Sequence, residues 1–159
     1  MSQPDEFWMQ HALRLAKQAE AINEVPVGAI VVLDDAIIGA GYNQIISTCD
    51  PSAHAEIVAL RHAAKAIDNY RLINATVYVT LEPCSMCAGS MVHSRISRLV
   101  YGASEPKAGV VKSRGEFFSQ DFLNHKVEVL GGICADECSA LLSEFFARRR
   151  EEKSRKRKN

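Results

Sequence analysis

The sequence has few of the features that mark secreted or membrane-bound proteins. Residues 1–6 contain no basic segment and no apolar run follows them, so we expect no signal peptide. The longest nearly apolar stretch, residues 25–33, is far too short to cross a bilayer. The five cysteines are odd in number, and two of them share one short motif, which favours a reducing compartment over a disulfide framework. We therefore expect a cytoplasmic protein with no membrane partner.

Internal repeats and low-complexity segments are also lacking before residue 148. The chain has 159 residues, which is enough for one domain with a substantial core, and its 47% hydrophobic content is typical of soluble globular proteins. We predict a single domain over residues 1–150. A basic C-terminal tail at 151–159 is expected to be disordered.

The formal net charge of the chain is zero, but the charged residues are unevenly distributed. Residues 148–159 hold eight Lys or Arg and two Glu, a net charge of +6, which leaves −6 on the rest of the chain. A concentrated basic segment on an acidic body favours a polyanionic partner such as RNA. The alternative is a solvated C-terminus that serves solubility alone.

Two short motifs dominate what the sequence does contain. The first is H-x-E, formed by His54 and Glu56, and the second is P-C-x-x-C at residues 83–87, with Cys84 and Cys87. One imidazole and two thiolates fill three tetrahedral positions around zinc and leave the fourth for water, whose pKa bound zinc lowers to about 7. The nearby carboxylate supplies a base that the metal lacks. This combination is the known signature of zinc nucleobase deaminases.

A C-x-x-C motif also has two other interpretations, a redox pair and half of a structural zinc site. A structural site requires a fourth protein ligand, for which Cys49, Cys134 and Cys138 are the candidates. It would also leave Glu56 without a role. The sequence therefore favours an open, catalytic zinc site.

Strand-like and helix-like segments alternate along the chain, which predicts an α/β fold. Strands are predicted at 29–33, 37–40, 75–81, 98–101 and 127–130, and helices near the N-terminus, at 53–68, at 84–93 and from about 135. This order predicts a three-layer α-β-α domain around a mixed five-stranded sheet. The 25 residues between the fourth and fifth strands suffice for a crossover, so these strands are expected to be parallel.

Longer segments around the two motifs carry a family resemblance. They are residues 24–29 (EVPVGA), 41–43 (GYN), 54–56 (HAE), 80–89 (TLEPCSMCAG), 93–96 (HSRI), 102–103 (GA), 135–138 (ADEC) and 145–146 (FF). In these segments the chain resembles the bacterial tRNA-specific adenosine deaminase family, within the zinc-dependent, cytidine deaminase-like superfamily. The zinc motif alone would also fit cytosine, guanine or riboflavin-pathway deaminases, and the flanking segments narrow the choice.

This resemblance implies hydrolysis of the wobble adenosine, at the first anticodon position of a tRNA, to inosine and ammonia. It implies one Zn²⁺ per chain, bound by His54, Cys84 and Cys87. Glu56 would shuttle a proton from the attacking water to adenine N1. Asn43 would hydrogen-bond to the flipped base, and a homodimer would bind the anticodon stem-loop.

Further RNA contacts are expected beside the base. Where the family commonly has an Arg-Asp pair, this chain has Ser104 and Glu105. Glu105 keeps the carboxylate that can accept a hydrogen bond, whereas Ser104 lacks the positive charge that would contact a phosphate. On the terminal helix, Phe146 suits stacking on an unpaired base, and Arg149 and Arg150 suit phosphate binding.

Two rival functions follow from the same residues. One is a deaminase of a free base or nucleotide, against which the basic tail argues. The other is a non-catalytic RNA-binding module with structural zinc, which predicts a fourth protein ligand and no role for Glu56.

Overall fold

The computed structural model describes residues 2–158, within which four α-helices and five strands form. The elements are α1 (Asp5–Ala21), β1 (Gly28–Leu33), β2 (Ala36–Tyr42), α2 (Ala55–Ala66), β3 (Thr76–Leu81), α3 (Ser85–His93), β4 (Arg98–Ala103), β5 (Glu128–Leu130) and α4 (Ala135–Lys158). A 3₁₀ turn at Phe117–Ser119 lies between β4 and β5. Every strand and helix predicted from the sequence is present, with ends that differ by a few residues.

The five strands form one mixed sheet in the order β2-β1-β3-β4-β5. Strand β1 is antiparallel to both β2 and β3, whereas β3, β4 and β5 run parallel to one another. The predicted mixed sheet and the parallel pairing of its last two strands are therefore confirmed. Because β3 and β4 are parallel, the chain between them crosses over through α3, which begins directly beyond the end of β3.

Helices cover both faces of the sheet and give three layers. Successive strand residues point to opposite faces, so Val77 and Val79 pack with α2 and α3, whereas Tyr78 packs with α1 and α4. Each face has its own apolar core. The predicted α-β-α arrangement is confirmed, and both sequence motifs belong to the α2 and α3 layer.

Two glycines in β2 allow α2 to lie directly on the sheet. A Cβ atom at Gly39 would stand 2.4 Å from the carbonyl oxygen of Ala59, and one at Gly41 would stand 2.6 Å from that of Ala55. No side chain fits in either space, so these positions require glycine. The close contact holds the first turn of α2, and with it the H-x-E motif, against the strand.

Helix α4 is longer than the sequence analysis predicted. We expected residues 151–159 to be disordered, but the helix continues through Lys158, and Asn159 lies outside the described residues. The segment consists largely of good helix formers, and Arg155 forms an ion pair of 2.8 Å with Glu151 one turn earlier. The domain boundary at residue 150 stays a prediction.

Within residues 2–158, every helix is either too short or too polar to span a lipid bilayer.

Candidate active site

The two sequence motifs meet at the N-termini of α2 and α3. His54 is the N-cap of α2, Cys84 is the N-cap of α3, and Cys87 lies in the first turn of α3. The Nδ1 atom of His54 is 3.7 Å from Sγ of Cys84 and 3.6 Å from Sγ of Cys87. Tetrahedral zinc with ordinary bond lengths separates such ligand atoms by about 3.5–3.8 Å. The three side chains therefore fit a zinc ion as they stand.

The remaining cysteines do not complete a four-ligand site. Cys49 is exposed, and Cys138 is buried on the opposite face of the sheet with Cys134 packed against the same core. In the described part of the chain, His54, Cys84 and Cys87 form the only group of three or more potential ligands close enough to share an ion. A group of three leaves one tetrahedral position open, which is typical of catalytic rather than structural zinc.

The three potential ligands also affect one another's protonation. Contact with Cys87 and with His54 lowers the pKa of Cys84 to about 3. Contact with Cys84 and burial raise the pKa of Cys87, and the neighbouring Cys84 raises the pKa of His54. A bound cation would favour the thiolate form of both cysteines, since thiolates are the form that binds metal.

Glu56 lies beside this group in the first turn of α2, where its side chain is only 4% exposed. Burial disfavours the charged carboxylate and raises the pKa of Glu56 to about 7. A carboxyl group with this pKa can both accept and release a proton near neutral pH. The structure thus places the predicted general base next to the predicted ligands.

Asn43 lies against the first turn of α2, and its side-chain amide is held in one orientation. Its Oδ1 atom accepts a hydrogen bond of 2.9 Å from the N–H of Ala55, and its Nδ2 atom donates one of 3.1 Å to the carbonyl of Val25. These contacts leave one N–H and one lone pair on the amide for a ligand. The Oδ1 atom of Asn43 also caps the N-terminus of α2, because it accepts from the N–H of Ala55 and the N-cap residue His54 makes no side-chain capping hydrogen bond.

His54, Glu56, Cys84 and Asn43 line a cavity of about 180 Å³. Val25, Val27 and Leu81 form its apolar walls, and Glu105 also lines it. Sites for drug-sized ligands usually span about 300–1,000 Å³, so this cavity suits a single flat base better than a whole nucleotide.

A second, larger cavity shares the lining residue Glu105 with the first. It measures about 450 Å³ and includes all the predicted RNA contacts of the terminal helix, with lining residues Glu105, Lys107, Phe146, Arg149, Arg150 and Lys153. The segment 104–113, which we name the rim loop, contributes Glu105 to both cavities. The structure therefore brings together every residue that the sequence analysis assigned to substrate binding.

Arg149 has a further contact that the sequence did not reveal. Its Nη2 atom donates a hydrogen bond of 2.9 Å to the carbonyl of Asn23, and its guanidinium group lies 5.1 Å from the ring centroid of Phe145. Arg149 therefore fastens α4 to the turn that follows α1. Arg150, one position on, is exposed.

Two buried carboxylates were also missed, Glu82 in the cavity wall and Glu24 next to Val25, which lines the cavity. Glu24 and Glu82 are each 2% exposed, and each accepts hydrogen bonds from backbone N–H groups of a loop. In the sequence, each of these two glutamates lies directly beside an apolar segment that contains a proline, and this pattern could have indicated their burial.

Comparison with known proteins identifies the family. Residues 2–103 match the model of the cytidine and deoxycytidylate deaminase zinc-binding region. A tRNA-specific adenosine deaminase of Haemophilus influenzae is 58% identical over 154 residues, which cover 96% of this chain and 88% of the relative. One from Bacillus subtilis is 41% identical over 155 residues, covering 98% and 96%.

Solved structures agree with these sequence matches. A structure from a study of A-to-I editing by tRNA:A34 deaminases at the wobble position superposes with a TM-score of 0.83 at 43% identity, covering 86% of this chain and 99% of that one. A guanine deaminase from Nitrosomonas europaea superposes with a TM-score of 0.77 at 27% identity, covering 92% and 86%. With its zinc-binding deaminase region and its full-length similarity to these relatives, the chain belongs to the tRNA-specific adenosine deaminase family.

Proposed function

We propose that this protein hydrolyses the wobble adenosine of a tRNA anticodon to inosine and releases ammonia. The observation that carries the proposal is the buried Glu56 beside His54, Cys84 and Cys87 in a cavity the size of one base. Those three residues would hold one zinc ion per chain. The relatives named for tRNA-specific adenosine deamination support the choice of substrate.

When bound, zinc supplies a water molecule that is a good nucleophile at neutral pH. Glu56 accepts a proton from the water that attacks C6 and delivers a proton to N1 of the ring. A further proton carried by the same carboxyl group lets the amino group leave as ammonia. Adenosine and water are thereby converted to inosine and ammonia, and Glu56 returns to its starting state.

Asn43 orients the base for this reaction. Because two backbone groups fix its amide, the remaining N–H and lone pair have set directions and can pair with one edge of a purine. The apolar walls exclude bulk water, which strengthens hydrogen bonds inside the cavity.

The test is to incubate the zinc-loaded protein with an anticodon stem-loop that has adenosine at the wobble position, and to measure inosine by mass spectrometry of nucleosides. The same stem-loop with guanosine at that position is the matched control. Ammonia release from free bases, with no inosine in the stem-loop, would instead favour the free-base deaminase. No product from any of these substrates would support the RNA-binding module.

The basic cavity predicts a salt-dependent contribution to RNA binding. Arg150→Gln is expected to weaken stem-loop binding and to reduce the slope of log affinity against log salt by about 0.7–1, the value of one lost phosphate contact. Deleting 151–159, which removes five positive and two negative charges, should have a smaller effect per charge because Lys153 alone of these charged residues lines the cavity. Fluorescence anisotropy at several salt concentrations measures both.

Lys126→Gln is the matched control, since it removes one exposed positive charge near β5, away from the cavity. An unchanged slope for Arg150→Gln, or an equal loss for Lys126→Gln, would contradict the predicted RNA contact.

We also propose that the protein forms a homodimer and works in the cytoplasm, where tRNA is found. Exposed apolar side chains outside the cavity support an interface, among them Tyr70, 69% exposed, and Ile73, 52% exposed, on one loop. Sedimentation equilibrium is expected to give twice the chain mass of 17.5 kDa. A single-chain mass at micromolar concentration would contradict the dimer.

A further inference from the structure

Glu82 is a buried carboxylate for which the proposed chemistry has no use. It follows β3 directly and precedes Pro83 and Cys84, so it lies two residues before a potential zinc ligand. The backbone N–H of Glu82 donates to the carbonyl of Ala103 at the end of β4, which extends the hydrogen bonding between β3 and β4 by one residue. The backbone of Glu82 is thus fixed by the sheet, and its side chain, 2% exposed, points into the protein.

The rim loop supplies all the hydrogen-bond donors to this carboxylate. The Oε2 atom accepts from the N–H groups of Val111 at 3.1 Å, Lys112 at 2.9 Å and Ser113 at 3.0 Å. The Oε1 atom accepts from the N–H of Glu105 at 3.0 Å and from the hydroxyl of Ser113. Both ends of the loop are therefore bound to one side chain.

No cation balances the charge of Glu82. Within residues 2–158, its carboxylate forms no ion pair with Lys, Arg or His, and the backbone dipoles of the loop take that role. A buried carboxylate that lost these donors would bear a large desolvation cost. The contact therefore resists opening, and it restrains the loop more firmly than an apolar contact of the same size would.

The loop is shaped to meet the carboxylate. A Cβ atom at Gly109 would stand 2.5 Å from Cδ of Glu82 and 2.6 Å from the carbonyl oxygen of Glu105, so this position has room only for glycine. The N–H of Val110 donates to the carbonyl of Pro83 at 3.1 Å, which adds a second connection beside the first. The rim loop is thus joined to the residues directly before Cys84.

We propose that Glu82 is a positioning residue that holds the rim loop, and with it Glu105, at a fixed distance from the potential zinc ligands. This role rests on the proposed function, because Glu105 lines both the base-sized cavity and the basic cavity. Glu82 acts through the backbone of the loop, and it also forms part of the wall of the base-sized cavity. The same side chain joins the chemical centre to the surface that selects the RNA.

Glu82→Gln is the first test, because it keeps the size of the side chain but turns one acceptor into a donor that faces other donors. We expect zinc content to stay unchanged and kcat/KM on the stem-loop to fall by about 10- to 100-fold, as for misplaced supporting groups elsewhere. Hydrogen exchange should become faster at the amides of 105 and 111–113 and stay unchanged in β3. Glu24→Gln is the matched control: it should speed exchange at Ile46 and Ser47 and leave the rim loop protected.

A double-mutant cycle separates positioning from general stability. In a Glu105→Ala background, Glu82→Gln should cost clearly less than it does in the wild type, because the side chain that it positions is already gone. Equal costs in the two backgrounds, or a normally protected rim loop in Glu82→Gln, would overturn the proposal. Loss of zinc together with activity would also overturn it, since Glu82 would then support the metal site instead.

Gly109→Ala disturbs the same contact from the loop side and replaces Glu82→Gln if that variant does not fold. It should show the same faster exchange at 105 and 111–113 and the same loss of kcat/KM, and normal values for both would overturn the proposal. The exchange measurements need no substrate. If the wild-type protein made no inosine, the proposed function would fail, while the exchange data would still decide whether Glu82 holds the loop.

Discussion

Glu56→Gln is expected to abolish nearly all inosine formation while zinc content and fold stay unchanged. The substitution keeps the shape of the side chain in its buried place but removes the group that accepts and returns protons. General acid–base catalysis by one residue contributes about 10²–10⁴-fold, and Glu56 would serve more than one proton transfer in the proposed reaction, so we expect a loss at the upper end or beyond. Single-turnover rates on the stem-loop, with zinc measured by mass spectrometry, give both quantities.

Glu144→Gln is the matched control for this variant, because Glu144 is exposed on α4 and has no contact with the cavity. It should retain the wild-type rate. Near-normal activity of Glu56→Gln would show that another group carries the protons. Loss of zinc in Glu56→Gln would show that the carboxylate is a metal ligand rather than a base.

Cys87→Ser and Cys84→Ser are each expected to lose most of the bound zinc and, with it, the activity. A serine hydroxyl is not ionised at neutral pH and is a poor zinc ligand, so two protein ligands would remain of three. Structural sites in zinc-finger peptides bind zinc with about 10–16 kcal/mol near neutral pH, and removing a thiolate from a three-ligand site is expected to take away a large part of its binding free energy. We expect about one zinc per chain in the wild type and well below half in either variant.

Cys49→Ser is the control, since this cysteine is exposed and lies outside the ligand group. It should keep full zinc and full activity. Full zinc in both Cys84→Ser and Cys87→Ser would exclude the proposed site, and loss of zinc in Cys49→Ser would place the metal elsewhere.

The two halves of the proposed zinc site could be recognised because each is a short motif. His54 and Glu56 are two residues apart, Cys84 and Cys87 are three apart, and each pair begins a helix. That the two motifs meet at one ion followed from the known signature of zinc deaminases and not from the spacing, since they are separated by 27 residues. The alternation of strands and helices likewise predicted the layers and the parallel edge of the sheet. Such short-range patterns reflect backbone geometry, which is the same in every protein.

The supporting contacts were not predictable because they join distant parts of the chain. Glu82 meets the rim loop 23 to 31 residues later, and Arg149 meets the carbonyl of Asn23 126 residues earlier. Their partners are backbone groups, which every residue possesses, so no residue type identifies them in the sequence. The helical end of α4 was missed for another reason: a run of charges indicates solvation, but it does not distinguish a helix from a disordered tail.

The layered arrangement has a consequence for how the substrate is selected. The base-sized cavity lies at the N-termini of α2 and α3, on one face of the sheet, whereas Phe146 and Arg150 belong to α4, on the other face. The two cavities share the rim loop, which follows the C-terminal end of β4. A free nucleoside is too short to fill both cavities at once, whereas a longer ligand that passes along the rim loop can reach both.

For such a ligand, binding at α4 makes entry of the base an intramolecular event. The effective concentration of a base tethered in this way reaches the millimolar range for a short connection, and it falls to nearly zero when the connection cannot span the two sites. We therefore expect discrimination against free adenosine to come mainly from the distance between the cavities, since the proposed contacts of Asn43 and Glu56 with the base would be the same for both ligands. We expect weak binding also for an RNA that carries the right base but whose backbone cannot reach both cavities at once.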